Sequence, residues 1–506
     1  MTTRKGSRIV ELTLAACSLL GAGAAEAAAP VASAMPGAPV LALGTYDLAT
    51  LGYVVKEFSV RGTAKSFRLT GAAGPDGDWR AIADQSAPYK TRIVVISPSD
   101  PNRFNGTVVV EWLNVSGGLD VPVDWMTLHR ELVRSGYAYV AVSAQKVGIE
   151  GGPNLARGSA APLKMVNPER YGSLSHPGDA FAFDIYSDVA RLLRGEQSGA
   201  VLGKLKPRHL IAVGESQSAF FMATYVNAVD PLAKVYDGFL IHSRSGVAAP
   251  LNGVSVIGAP RESLRQAIRL RSDLRVPVMQ VITETDLTEL ANSIGFYAAR
   301  QPDTKQLRTW EIAGTAHADN YLFRVGALDS GSLPLEQLAA AWAPLDNIQG
   351  LKLPHPMNNG PQHHYVTEAA LWHLDRWLRT GEAPPHGQPL ELAPGDPPSP
   401  VVDGNGNARG GVRTPWVDVP TRRLSGVGGA PPVPLVGTSQ PFDTATLERL
   451  FPGGKDEYLR KFTGSLDQTI AAGFLLTADR QEIRDLAELS FPDTTASHGE
   501  QESSNN

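Results

Sequence analysis

Short apolar runs punctuate the chain at regular intervals, at Ser66–Thr70, Arg92–Ser97, Gly106–Val115, Ala138–Ala144, His209–Gly214, Tyr236–His242, Val276–Thr283 and Leu307–Ala313. Each is rich in Val, Ile or aromatic residues and bounded by Gly, Pro, Asn or Asp, which predicts strands. Val108-Val109-Val110 and the run from Val276 to Ile282 are almost wholly apolar, as suits strands buried on both faces. Helical spacing lies between them, at Trp125–Ser135, Ala180–Arg194, Ser218–Val229, Arg261–Leu270 and Leu287–Arg300. A stronger helix is expected over Tyr365–Arg379, where Ala369, Leu371, Trp372, Leu374, Trp377 and Leu378 share a face. Strand and helix in alternation predict an α/β fold, a mostly parallel eight-stranded sheet wrapped by helices.

The ends read differently. Arg4, Lys5 and Arg8 precede an apolar stretch from Leu12 to Ala22, and Ala25-Glu26-Ala27 fits a cleavage site. Residues 1–27 are therefore expected to be a signal peptide, with the mature protein periplasmic or secreted. The apolar stretch is too short to span a bilayer, and no stable membrane insertion is expected after leader removal. The single cysteine, Cys17, follows Leu14-Ala15-Ala16 as in a lipoprotein box, but Glu11 interrupts the apolar run before it. Residues 28 to about 45 look like an ordered or loose linker, 45–395 like the main domain, and 320–361 like a lid offering Leu335, Leu338, Trp342 and Leu345. Residues 396–490 are expected to be an extension packed on that domain, since Val412, Trp416 and Val417 need burial. Residues 491–506 are expected to be a disordered tail.

Charge narrows the chemistry. With 46 Lys+Arg against 51 Asp+Glu, no basic footprint for nucleic acid is expected. The mature chain lacks cysteine, which excludes disulfides and thiolate metal sites. His363-His364 invites a metal reading, but adjacent side chains diverge and no carboxylate set joins them. No metal and no cofactor are expected.

The sharpest motif is His209-Leu-Ile-Ala-Val-Gly-Glu-Ser216-Gln-Ser-Ala-Phe-Phe. A strand ends, Ser216 sits at the turn, and a helix begins, which is the context of a nucleophile elbow. Gly214 supplies the small residue that the close passage of strand and helix needs, and Ser218 replaces the usual second glycine. A serine hydroxyl needs a base oriented by an acid. His317 follows the last strand run. Thr-Glu284-Thr-Asp286 follows the Val276–Thr283 run, and Asp286 fits the commoner spacing, with Glu284 as its alternative. An oxyanion hole needs two backbone N–H groups. Gln217 supplies one, and Val115, or else Asn114, the other. Tyr171, His176 and His364 are candidate pocket residues.

Taken together, these residues resemble the α/β-hydrolase superfamily. More narrowly, the chain resembles large secreted bacterial hydrolases with a GESQSA elbow. The segments NGTVVVEWLNVSGG (105–118), RYGSLSHPGDAFAFDIYSD (170–188), GESQSAFF (214–221), TETD (283–286), WEIAGTAHAD (310–319), NNGPQHHYV (358–366) and GGVRTPWVDVP (410–420) carry the likeness. The resemblance implies the hydrolase sheet, Ser216 as nucleophile, His317 as base and Glu284 or Asp286 as acid. The expected activity is hydrolysis of a small-molecule carboxylic ester through an acyl-enzyme. An acyltransferase, a peptidase, or an inactive binding module on the same fold are the alternatives.

Overall fold

The computed structural model describes residues 1–2, 29–155, 160–257, 259–290, 293–348, 350–429 and 433–492. The expected leader with Cys17 and almost all of the expected tail lie outside the described residues. Among the described residues no helix is long and apolar enough to cross a membrane.

Nine strands form the central sheet: β1 (Val31–Ala34), β2 (Tyr53–Leu69), β3 (Ala81–Pro98), β4 (Thr107–Trp112), β5 (Ala138–Val142), β6 (His209–Glu215), β7 (Gly238–His242), β8 (Val278–Ile282) and β9 (Leu307–Glu311). Their order is β1-β2-β3-β5-β4-β6-β7-β8-β9. The joins from β5 to β9 are parallel, and the first three are antiparallel. All eight apolar runs fall in these strands. The ninth, β1, corrects the linker expected over residues 28–45. Its Val-Ala-Ser-Ala carries little strand signal, and it is ordered by antiparallel pairing with Phe58–Arg61.

Val108, Val109 and Val110 are wholly buried. Val108 and Val110 face one core and Val109 the other, because alternate residues of a strand point to opposite faces. The first core is closed by α2 (Ala182–Arg194) and α3 (Gln217–Thr224). The second is closed by α1 (Val123–Arg134) and the long α6 (Gln362–Thr380).

Residues beyond 396 join this second face. Tyr458, Phe462 and Leu466 of α7 (Gly454–Ala471) and Ile483 of α8 (Arg480–Ser490) are buried in the same cluster as Trp310 and Leu371. Val412 bridges Ile312 in parallel. In the segment 320–361, Leu338 and Ala341 of α5 (Leu335–Ala341) pack with Tyr321, Trp342 and Leu486.

Two expected helices do not form. Only 261–264 of the span 261–270 is helical, as one 3-10 turn. Ile268 leaves the helical path to donate its N–H to Gly246 O at 2.7 Å. In the span 287–300 the chain turns back on itself after α4 (Glu284–Thr288). Ser293 pairs with Leu290, and a Cβ on Gly295 would stand 1.9 Å from Thr288 O. The turn therefore requires glycine at that point.

Candidate functional site

Ser216 stands between β6 and α3 with φ 57° and ψ −117°, a region non-glycine residues rarely adopt. Its N–H donates to His242 O at 3.0 Å, tying the bend to the end of β7. A Cβ on Gly214 would lie 3.1 Å from both Ser218 Cβ and Met222 Cγ, so strand and helix pass too closely for a larger residue. Ser216 itself is half-buried, which leaves its hydroxyl accessible.

The loop after β9 lowers His317 toward that hydroxyl. Gly314 turns it with φ 73°, and its N–H donates to Glu284 Oε1 at 2.5 Å. The His317 N–H donates to Thr285 Oγ1 at 3.1 Å. The imidazole Nε2 then lies 2.8 Å from Ser216 Oγ, and Nδ1 lies 2.6 Å from Asp286 Oδ1. The other oxygen of Asp286 accepts from Thr283 N at 2.8 Å and Thr283 Oγ1 at 2.7 Å. Burial acts to raise the Asp286 pKa, but the facing imidazole and the Thr283 donors overcome it and hold it below the ordinary value.

Glu284 does not reach the ring. It accepts from Gly314 N and, at 2.8 Å, from Gly426 N, clamping the histidine loop to the C-terminal extension. Burial pushes its carboxyl up to about 7. Of the two acids left open by spacing, Asp286 is the one beside His317.

At the amide donors, Gln217 opens α3, so its N–H has no acceptor within the helix. The expectation at Asn114 is corrected, because its N–H is already bonded to Val121 O at 3.1 Å. The adjacent Val115 N–H carries no such bond among the described residues.

Two pocket expectations are also corrected. Tyr171 is wholly buried among Ile149, Leu163 and Leu174, and its hydroxyl donates to Glu57 Oε1 at 2.9 Å. His176 Nε2 lies 2.8 Å from Ala144 O, and its Nδ1 accepts from Gly178 N. Both fix the 170–179 loop against the sheet rather than line a cavity. His364 borders a void of about 10 Å³ shared with His317, His363 and Glu215, which has room for about one water. Its ring is held by Thr127 O at 2.7 Å and stacked on Tyr321.

A second polar group surrounds that void and was not visible in the sequence. Glu215 Oε1 stands 3.3 Å from His317 Nε2, and Glu215 Oε2 accepts from Asn114 Nδ2 at 3.1 Å. His242 Nδ1 lies 2.9 Å from Asp124 Oδ1, and its Nε2 lies 2.8 Å from His363 Nε2. One of those two facing nitrogens must be a donor and the other an acceptor. Burial drives the Glu215 pKa well above its ordinary value, helped by the charges of Asp124 and Asp286. Burial drives His242 well below its own. Burial thus disfavours the charged forms of Glu215 and His242. The members of this polar group come from α1, β6, β7 and α6, so no local spacing brings them together.

A family model described as alpha/beta hydrolase domain matches residues 27–485. No curated protein matches the chain. Similar solved structures include an esterase from Rhizomucor miehei, at 10% identity over 44% of this chain with TM-score 0.23; the chain spans 66% of that protein's length. A thermostable esterase from Pseudomonas putida is 13% identical over 48% of this chain and 68% of its own, with TM-score 0.24. A putative dienelactone hydrolase from Klebsiella pneumoniae is 12% identical over 56% of this chain and 95% of its own, with TM-score 0.26.

Proposed function

The chain belongs to the alpha/beta hydrolase domain family, and from that premise we propose that it is a serine-dependent carboxylic ester hydrolase working through an acyl-enzyme. Ser216 Oγ attacks the ester carbonyl while His317 Nε2 takes its proton. Asp286 holds the Nδ1–H tautomer and balances the imidazolium that forms. The N–H groups of Gln217 and Val115 receive the negative charge that develops on the carbonyl oxygen. The imidazolium returns its proton to the leaving alkoxide, and the same ring then activates water for deacylation.

The observation that carries this reading is the unbroken chain from Ser216 Oγ through both ring nitrogens to a buried carboxylate, with contacts of 2.8 and 2.6 Å. A serine that merely capped α3 would have no need of an imidazole with a carboxylate behind it.

The test is a p-nitrophenyl ester series of varied acyl length, assayed with the wild type, Ser216→Ala and His317→Ala. Turnover should fall by about 10³-fold or more in both variants, with circular dichroism and Tm close to wild type. Wild-type turnover by folded Ser216→Ala would overturn the proposal.

A further inference from the structure

Arg244 lies two residues past β7, the strand whose last carbonyl holds the Ser216 N–H. Its side chain has no solvent exposure. One contact is polar: Nη2 donates to Ile268 O at 2.8 Å. Nε and Nη1 have no acceptor, and no carboxylate charge acts on the guanidinium among the described residues. The Phe296 ring, 5.3 Å away, faces the cation. Beside it Ser243 takes φ 53° with its Oγ likewise unpartnered and buried.

A buried guanidinium without a counter-charge is costly, and native proteins seldom leave such donors empty. Burial lowers the Arg244 pKa only to about 9, so the group stays cationic at neutral pH. The buried Arg92 of β3 differs from it, pairing with both Glu57 and Asp120. The strained Ser243 and the empty donors lie together, next to the strand end that carries the reactive serine, where strain and unsatisfied groups tend to mark function.

We propose that Arg244 is a specificity residue that binds a free carboxylate on the substrate, so that the enzyme prefers esters of dicarboxylic acids in which one acid group remains unesterified. This rests on the reading of Ser216 as nucleophile and names its substrate class. A single guanidinium in a dry site balances one negative charge, which suits a carboxylate better than a dianionic phosphate. Ile268 O and the Phe296 ring lie against the guanidinium. In this proposal the carboxylate takes the place of these two contacts.

Two matched substrates test the proposal: mono-p-nitrophenyl glutarate and p-nitrophenyl pentanoate, which differ in a terminal carboxylate against a methyl group. The wild type should favour the glutarate ester in kcat/KM by about tenfold or more, mainly through KM. Arg244→Gln should lose that preference, its kcat/KM falling about tenfold or more further on the glutarate ester than on the pentanoate ester. Equal use of both esters by the wild type, or an equal loss on both in the variant, would overturn the proposal without touching the hydrolase reading.

Should Arg244→Gln fail to fold, free glutarate on folded Ser216→Ala decides. A glutarate-dependent rise in Tm, absent with pentanoate and inorganic phosphate, supports the assignment. No rise, or an equal rise with phosphate, rejects it. Failure of the hydrolase reading would look different: neither ester would be turned over, and glutarate binding to Ser216→Ala would still report on Arg244.

Discussion

Asp286 Oδ1 lies 2.6 Å from Nδ1 of His317, while Glu284, two residues earlier, is turned into the backbone of Gly314 and Gly426. Two acids of like chemistry, one residue apart, thus hold separate tasks. Asp286→Asn should lower kcat by about 10²- to 10⁴-fold with little change in KM, because the amide cannot hold the Nδ1–H tautomer. Steady-state kinetics on the folded variant check this. A kcat close to wild type would remove Asp286 from the mechanism.

Glu284 makes a prediction about pH and stability. Its carboxyl is raised from 4.5 to about 7 by burial, so the folded chain binds a proton in that window that the unfolded chain has released. Stability from this group is fully present below the ordinary carboxylate pKa and is lost as pH rises through about 7. Glu284→Gln cannot titrate. Its unfolding free energy should fall further short of wild type at pH 5 than at pH 8, by about 3 kcal/mol. Urea unfolding at the two pH values measures the difference; a constant gap would contradict the assignment.

Glu215 stands 3.3 Å from the same ring nitrogen that faces Ser216. Burial pushes its carboxyl well above the ordinary range, which favours the neutral form beside the imidazole. Glu215→Gln, a neutral isostere, should leave the acid limb of the kcat/KM profile within about 0.3 pH unit of wild type. An anionic Glu215 would raise the pKa of His317. A shift of the limb to lower pH by about one unit in the variant would therefore show that the carboxyl is ionised.

Much of this architecture is legible in the sequence wherever a local pattern decides. The Val-rich runs fall in strands because only a sheet buried on both faces accommodates them. The Gly214-Glu215-Ser216 bend reads from strand, turn and helix in succession. Local pattern fails where distant chain intervenes. The apolar spacing of 261–270 satisfies a helix, yet Ile268 bonds to Gly246. The span after Leu287 is broken by a close backbone crossing at Gly295. β1 exists through its partner strand. Tyr171 and His176 sit in a segment full of chemically suggestive residues, but Glu57 and Ala144 claim their polar atoms. Arg244 looks like any loop arginine until its burial and empty donors are seen together.

The account stands on an activated hydroxyl at position 216. Its most direct measurement is peptide mass spectrometry after brief exposure to diisopropyl fluorophosphate, which forms a stable phosphoryl adduct fastest on an activated serine oxygen. The account predicts one adduct, on the Ser216 peptide, absent from Ser216→Ala and slowed severely in His317→Ala. A folded wild-type protein that stays unmodified, or that carries its adduct elsewhere, would contradict it.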